Sequence, residues 1–213
     1  IGIGTYALGP NIGDNVIGIG FEAAKNNQND HVIGIGHTAA ENNTADNVIA
    51  LGQGAAGSNT GYQTIAIGAL AAGSNSGLYT IGIGYGAISN NTNNQAIGIG
   101  YNALKNNTGG APYAMGYEAG MNNNGDQNIM IGNYALKNVT FVPSGDYSLG
   151  LGYEAGLNNQ GDYVTAIGYE AAAYNGNNYV TAIGYQAAYG NTAQSVIGIG
   201  SQAAYGNIGN SVI

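Results

Sequence analysis

One glycine recurs every sixteen residues, at Gly4, Gly20, Gly36, Gly52, Gly68, Gly84, Gly100, Gly116 and Gly132, and then, after one step of twenty, at Gly152, Gly168, Gly184 and Gly200. Thirteen copies fill the 213 residues and leave no stretch for an ordinary globular core. A unit this short cannot bury an apolar face alone, so each copy is expected to be one coil of a solenoid held by its neighbours. Residues 1–213 read as a single elongated repeat domain. Because the chain starts and stops in mid-motif, it also reads as a piece of a longer fibre protein.

With the glycine taken as phase zero, the residue before it is always apolar: Ile19, Ile35, Ile67, Ile83, Ile99, Ile167, Ile183 and Ile199 are examples. A second large residue stands two earlier, as in Ile17, Ile33 and Ile81, with Gly or Ala between. Alternation of β-branched and small residues predicts a strand with an isoleucine wall on one face and a small strip on the other. The isoleucine files are read as core. Three residues past the glycine every copy has alanine (Ala23, Ala39, Ala103 and Ala187 among them), the mark of a tight buried place that a larger side chain would overpack.

Seven past the glycine stands Asn27, Asn43, Asn59, Asn75, Asn91, Asn107 or Asn123, and Asn in every other copy except at Val139. Asn tolerates left-handed backbone and bonds within turns, so this file is expected at a corner, with its amides stacked in a ladder. Gly, Asn or Asp pairs such as Gly13-Asp14 and Asn29-Asp30 then turn the chain into the next strand. The coil is therefore expected to run strand, turn, short strand, turn. At about 4.8 Å per coil the thirteen would make a rod of roughly 60 Å. Segments such as Glu22-Ala23-Ala24 are too short for helix. The fold class is all-β, a parallel β-roll or β-solenoid.

Composition narrows the partners. Net charge is −8 with only Lys25, Lys105 and Lys137 basic, which argues against nucleic acid and anionic membrane surfaces. No apolar run reaches membrane-spanning length, so membrane insertion by this segment is not expected. Without cysteine there are no disulfides or thiolate metal sites. A coil this narrow, unsupported by such staples, is marginal alone, and burial of a second face against other copies is the natural remedy. A parallel homo-oligomer is expected.

The strings NVIGIGFEAAKNN from Asn15, YTIGIGYGAISNN from Tyr79, QAIGIGYNALKNN from Gln95 and SVIGIGSQAAYGN from Ser195 resemble the YadA-like head repeats of trimeric autotransporter adhesins. They are more similar still to the IGYQA and NNT repeats of phage tail fibres and related bacterial surface proteins. The resemblance covers the whole chain and implies a left-handed roll assembled as a trimer, in an extracellular, cell-surface or virion fibre that binds a glycan or protein receptor. The sixteen-residue coil is longer than that of the adhesin heads, and the turns are richer in Asn, which favours the fibre relatives.

Candidate sites are few. Twelve of seventeen tyrosines follow Pro112, and Tyr153, Tyr169 and Tyr185 share one phase, where a ladder would either bind sugars through flat faces or merely brace the sheet. The four extra residues in the 133–151 coil place Phe141 in an expected outward loop, either as an exposed aromatic ligand contact or as a cover for the sheet edge. Asp14, Asp30 and Asp46 share a phase where calcium would relieve repulsion, though solvated carboxylates without the GGxGxD spacing are the simpler reading. His31 and His37 fall in different phases and read as surface residues. Tripeptides such as Asn42-Asn43-Thr44 and Asn106-Asn107-Thr108 fit a glycosylation acceptor only because Thr follows the Asn file. No convergent nucleophile, base or carboxylate pair marks an enzyme, and no cofactor is expected. The reading is a structural, adhesive fibre segment. Its alternatives are a self-assembling extracellular filament and an ice-binding solenoid, the latter disfavoured because Thr64, Thr80, Thr165 and Thr181 form no continuous array.

Overall fold

The computed structural model describes residues 1–139 and 146–209. The fold is all-β, a parallel β-solenoid, and no helix occurs among the described residues. Each repeat gives one short strand, and contacts group the chain into two compact units, Ile1–Asn106 and Asn107–Ile213. Solenoid coils touch only their neighbours, so nothing draws all thirteen into one cluster.

The first unit holds β1 (Gly2–Ile3), β2 (Ile17–Ile19), β3 (Val32–Ile35), β4 (Val48–Leu51), β5 (Thr64–Ile67), β6 (Thr80–Ile83) and β7 (Ile97–Ile99). The second holds β8 (Tyr113–Met115), β9 (Ile129–Ile131), β10 (Leu149–Leu151), β11 (Thr165–Ile167), β12 (Val180–Ile183) and β13 (Val196–Ile199). Within each unit the strands pair in parallel and in chain order, phase upon phase: Ile33 opposes Ile49, which opposes Ile65. The twenty-residue step keeps this register, since Ile129 opposes Leu149 and Ile131 opposes Leu151. Phe141 lies outside the described residues.

The repeated glycine closes the strand. Its φ lies between +125° (Gly68) and +141° (Gly116), a region open in practice to Gly alone. A Cβ on Gly84 would also sit 2.5 Å from the carbonyl oxygen of Gly100 in the next coil.

Among the described residues no second strand follows; the return path is a run of turns. After Gly52, positive φ recurs at every second residue, Gly54 (62°), Ala56 (48°) and Ser58 (53°). The turns close by Ala55 N–H to Gly52 O (3.3 Å), Gly57 N–H to Gly54 O (3.2 Å) and Asn59 N–H to Ala56 O (3.4 Å). Positive φ at the third residue of each marks consecutive type II turns. The N–H groups between them reach adjacent coils: Gly54 to His37 O, Ala56 to Ala71 O and Ser58 to Glu41 O, each at 2.8 Å. Left-handed backbone costs an alanine roughly 1–2 kcal/mol. Ala24, Ala40, Ala56 and Ala72 nevertheless occupy it, because their Cβ atoms fill the coil interior and are fully buried.

That interior corrects the isoleucine expectation. Ile35, Ile67 and Ile199 are 39%, 37% and 66% exposed, and Ile19, Ile83, Ile99, Ile167 and Ile183 are only half-buried. The isoleucine wall faces outward. Apart from the buried Met130 of β9, the inward residue between each pair is Gly or Ala, because the two sides of the coil are nearly in backbone contact: a Cβ on Gly18 would lie 2.7 Å from Ala23 O. Ala23, Ala39, Ala103 and Ala187 are buried as expected. Larger interior residues occur where the opposite side yields, as at Ile88, whose side chain lies over Gly82 and Gly98.

The asparagine file is also interior. Asn27, Asn43, Asn59, Asn75, Asn91, Asn107 and Asn123 are fully buried, and the left-handed corner falls one residue earlier, at Asn26, Asn42, Ser58, Ser74, Asn90, Asn106 and Asn122. The expected amide ladder forms. Asn43 Nδ2 donates to Asn27 Oδ1 (2.8 Å), Asn59 Nδ2 to Asn43 Oδ1 (3.0 Å) and Asn75 Nδ2 to Asn59 Oδ1 (3.0 Å). The other amide hydrogen caps the carbonyl two residues on, as in Asn43 to Ala45 O at 2.7 Å. The amides of this file are thus satisfied without water, as burial requires.

Val139 interrupts the ladder and leaves Asn123 Oδ1 without its usual donor. Asn128, at a phase held elsewhere by residues such as Val32, Val48 and Thr64, supplies one: its Nδ2 donates to Asn123 Oδ1 (3.0 Å), and its Oδ1 accepts from Ser148 N–H (2.8 Å). Asn128→Val should cost about 1–3 kcal/mol for each group orphaned. Adding Val139→Asn should recover part of that, because a new amide donor would meet Asn123. A double-mutant cycle in chemical denaturation measures the coupling, which should be non-zero.

Candidate functional site

With the interior filled by small and amide side chains, the surface of each coil carries what is left for function. In the first unit, Ile33, Ile49, Ile65, Ile81 and Ile97 form one outward file and Ile35, Leu51, Ile67, Ile83 and Ile99 the other. In the second, Leu149, Thr165 and Thr181 run beside Leu151, Ile167 and Ile183. Each is an ordered apolar sheet surface, far from the scattered exposed hydrophobes of an ordinary monomer.

Tyrosines stand just before and just after these strands. Tyr147, Tyr163 and Tyr179 stack with centroids 5.2 and 5.3 Å apart and planes within 4°. Tyr153, Tyr169 and Tyr185 stack at 5.1 and 5.4 Å, within 13°. Stacking covers both faces of Tyr169, so the flat platform a sugar would need is taken up by the ladder itself. The phenol of Tyr153 is tied as well: a hydrogen bond to Glu154, assisted by partial desolvation and by that carboxylate's charge, pushes its pKa up to about 12. A hydrogen bond to Glu170 raises Tyr169 in the same way. In the first unit Phe21 stacks on His37 at 5.1 Å, which gives that histidine a packing role.

The aspartate file is structural. Asp30 Oδ1 accepts from Asp14 N–H (2.7 Å), and Asp46 Oδ1 from Asp30 N–H (3.0 Å). Further on, Asp146 and Asp162 cap the N–H of Asp126 and Asp146 in turn (2.8 and 3.2 Å). These carboxylates belong to backbone donors of the preceding coil, and among the described residues no three His, Cys, Asp or Glu side chains gather as a metal set. His31 lies beside Asn15, with 3.5 Å between its Nε2 and the amide nitrogen. Thr64 and Thr80 leave the surface altogether: both are buried, their hydroxyls 3.2 Å apart inside the coil. Asn42 accepts from the amide of Asn26 at 2.8 Å in an exposed side ladder.

One depression was not foreseen. A cavity of about 420 Å³ in the second unit is lined by Asn138, Asn158, Gln160, Tyr174, Gly176 and Thr192. The signal for it was a break in the repeat, for Tyr174 is the only bulky residue in a file of Asn, Ser and Gly beyond Leu8-Gly9-Pro10.

No known family, curated protein or solved structure matches the chain.

Proposed function

We propose that this chain is a structural, adhesive segment of an extracellular fibre, assembled as a parallel homotrimer through its isoleucine face and presenting a surface to a cell-surface glycan or protein receptor. The β-solenoid fold is compatible with a structural role. The observation that carries the proposal is the outward isoleucine file pair, which is regular, uncharged and, as it takes no part in the coil interior, available to another copy. A parallel arrangement repeats the same contact at every coil. The number of copies follows the resemblance of the IGIG and NN strings to trimeric adhesin heads and tail fibres.

The pair Ile35→Lys and Ile67→Glu tests it. Both side chains are outside the coil, so the far-UV circular dichroism spectrum should be retained, while assembly followed by light scattering should weaken by at least about a hundredfold in dissociation constant, for roughly 1.5–3 kcal/mol of burial lost per isoleucine. Unchanged assembly would sink the proposal.

A further inference from the structure

The cavity in the second unit has the chemistry of a small neutral-ligand site. Its lining carries no charge. At the corner phase, an amide donates to the next coil where that residue is also Asn: Asn122 Nδ2 to Asn138 Oδ1 (2.9 Å), and Asn138 Nδ2 to Asn158 Oδ1 (3.2 Å). The next position is Tyr174, and the file stops. Among the described residues Asn158 Nδ2 then has no acceptor, and the Gln160 amide and Thr192 hydroxyl have no hydrogen-bond partner there either. Gly176 stands between Gln160 and Thr192 in their file and opens the floor.

Tyr174 differs from the ladder tyrosines. Its ring is tilted 58° from Tyr189 at 5.5 Å, so it is not covered face to face, and it is half exposed. An aromatic wall, the Asn158 Nδ2 donor, the Gln160 amide and two hydroxyls around about 420 Å³ match the pairing of apolar faces with neutral hydrogen-bonding groups that pyranose sugars present. We infer that this cavity binds a neutral mono- or disaccharide, with Tyr174 against the sugar face and Asn158, Gln160 and Thr192 on its hydroxyls. The inference rests on the reading of the segment as one that presents a binding surface, and gives that surface a place. The absence of any cationic group in the lining disfavours acidic sugars.

Saturation-transfer NMR on the full chain tests it, using the methyl glycosides of glucose, galactose, mannose and N-acetylglucosamine, with sialic acid as the acidic comparison. Two variants restore residues found at these phases in other coils and so should fold: Tyr174→Asn and Gly176→Gln. At least one neutral glycoside should receive saturation from the protein, and both variants should reduce its affinity by about tenfold or more, the loss of one aromatic contact and one hydrogen bond. No transfer to any neutral glycoside, stronger transfer to sialic acid, or transfer unchanged in both variants would overturn the inference. Light scattering on the same samples separates the two proposals. A trimer without sugar binding refutes the site alone, and sugar binding by a monomer refutes the assembly alone.

Discussion

Gly84→Val is expected to destroy cooperative folding of its unit. The valine would be forced to φ +126°, and its Cβ would meet backbone atoms of Gly100 at 2.5 to 3.2 Å. Neither can be relieved by a rotamer change, since the obstruction is main chain and the next coil is fixed by its own ladder. Backbone strain of about 1–3 kcal/mol and overpacking of about 1–3 kcal/mol combine to roughly 2–6 kcal/mol, a large share of the stability of a domain this size. The control is Gly190→Asn. Gly190 sits at φ +62° with nothing within 4 Å of a built Cβ, and Asn holds this corner phase in several other coils, so the change should stay within about 0.5 kcal/mol. Urea denaturation followed by circular dichroism distinguishes them. Equal midpoints for the two variants would mean that coils are not stacked glycine upon glycine.

Asn75→Leu should be nearly as damaging although leucine fits an apolar interior better by transfer energy. Asn75 donates to Asn59 Oδ1 and Gly77 O, both at 3.0 Å, and accepts from Asn91 Nδ2 at 2.8 Å and Gly77 N–H at 3.3 Å. Leucine leaves at least two of these groups unpaired in a fully buried place, at about 1–3 kcal/mol each. The loss should be about 2–6 kcal/mol. Asn42→Gly, at the exposed corner file, should change stability by no more than about 0.5 kcal/mol, because glycine accepts its φ of +55° and water replaces its partner. Thermal melts of the two variants give the comparison, and a tolerated Asn75→Leu would contradict the interior ladder.

The solenoid and its register were legible in the sequence because a sixteen-residue period admits few other folds, and the invariant alanine file lies where it was expected. The direction of the isoleucines was not legible, since alternation defines two faces without saying which is inside. A usable signal was present: the strip between the isoleucines and the alanine file facing it are both small, and two small strips can meet only if the backbones themselves approach. Gly18 over Ala23 is that approach. Asparagine presented the same ambiguity. In pairs such as Asn26-Asn27 and Asn90-Asn91 either residue suits a left-handed corner, and the choice is made by the every-second-residue alternation of positive φ that begins just after the glycine. That alternation is a property of the stacked coils and leaves no mark in residue type where alanine adopts it. The tyrosine ladder was legible as a ladder, but ring orientation decides whether it has a free face. The repeat-breaking Tyr174 is tilted 58° from Tyr189 and so keeps a ring face out of parallel stacking.

Sedimentation equilibrium of the unmodified chain at micromolar concentration tests most directly whether the outward isoleucine face is an interface between copies. A single species of three times the 21.4 kDa chain mass is expected, unchanged by moderate salt because the contact is apolar. A stable folded monomer of 21.4 kDa, with its isoleucine files left in water, would contradict it.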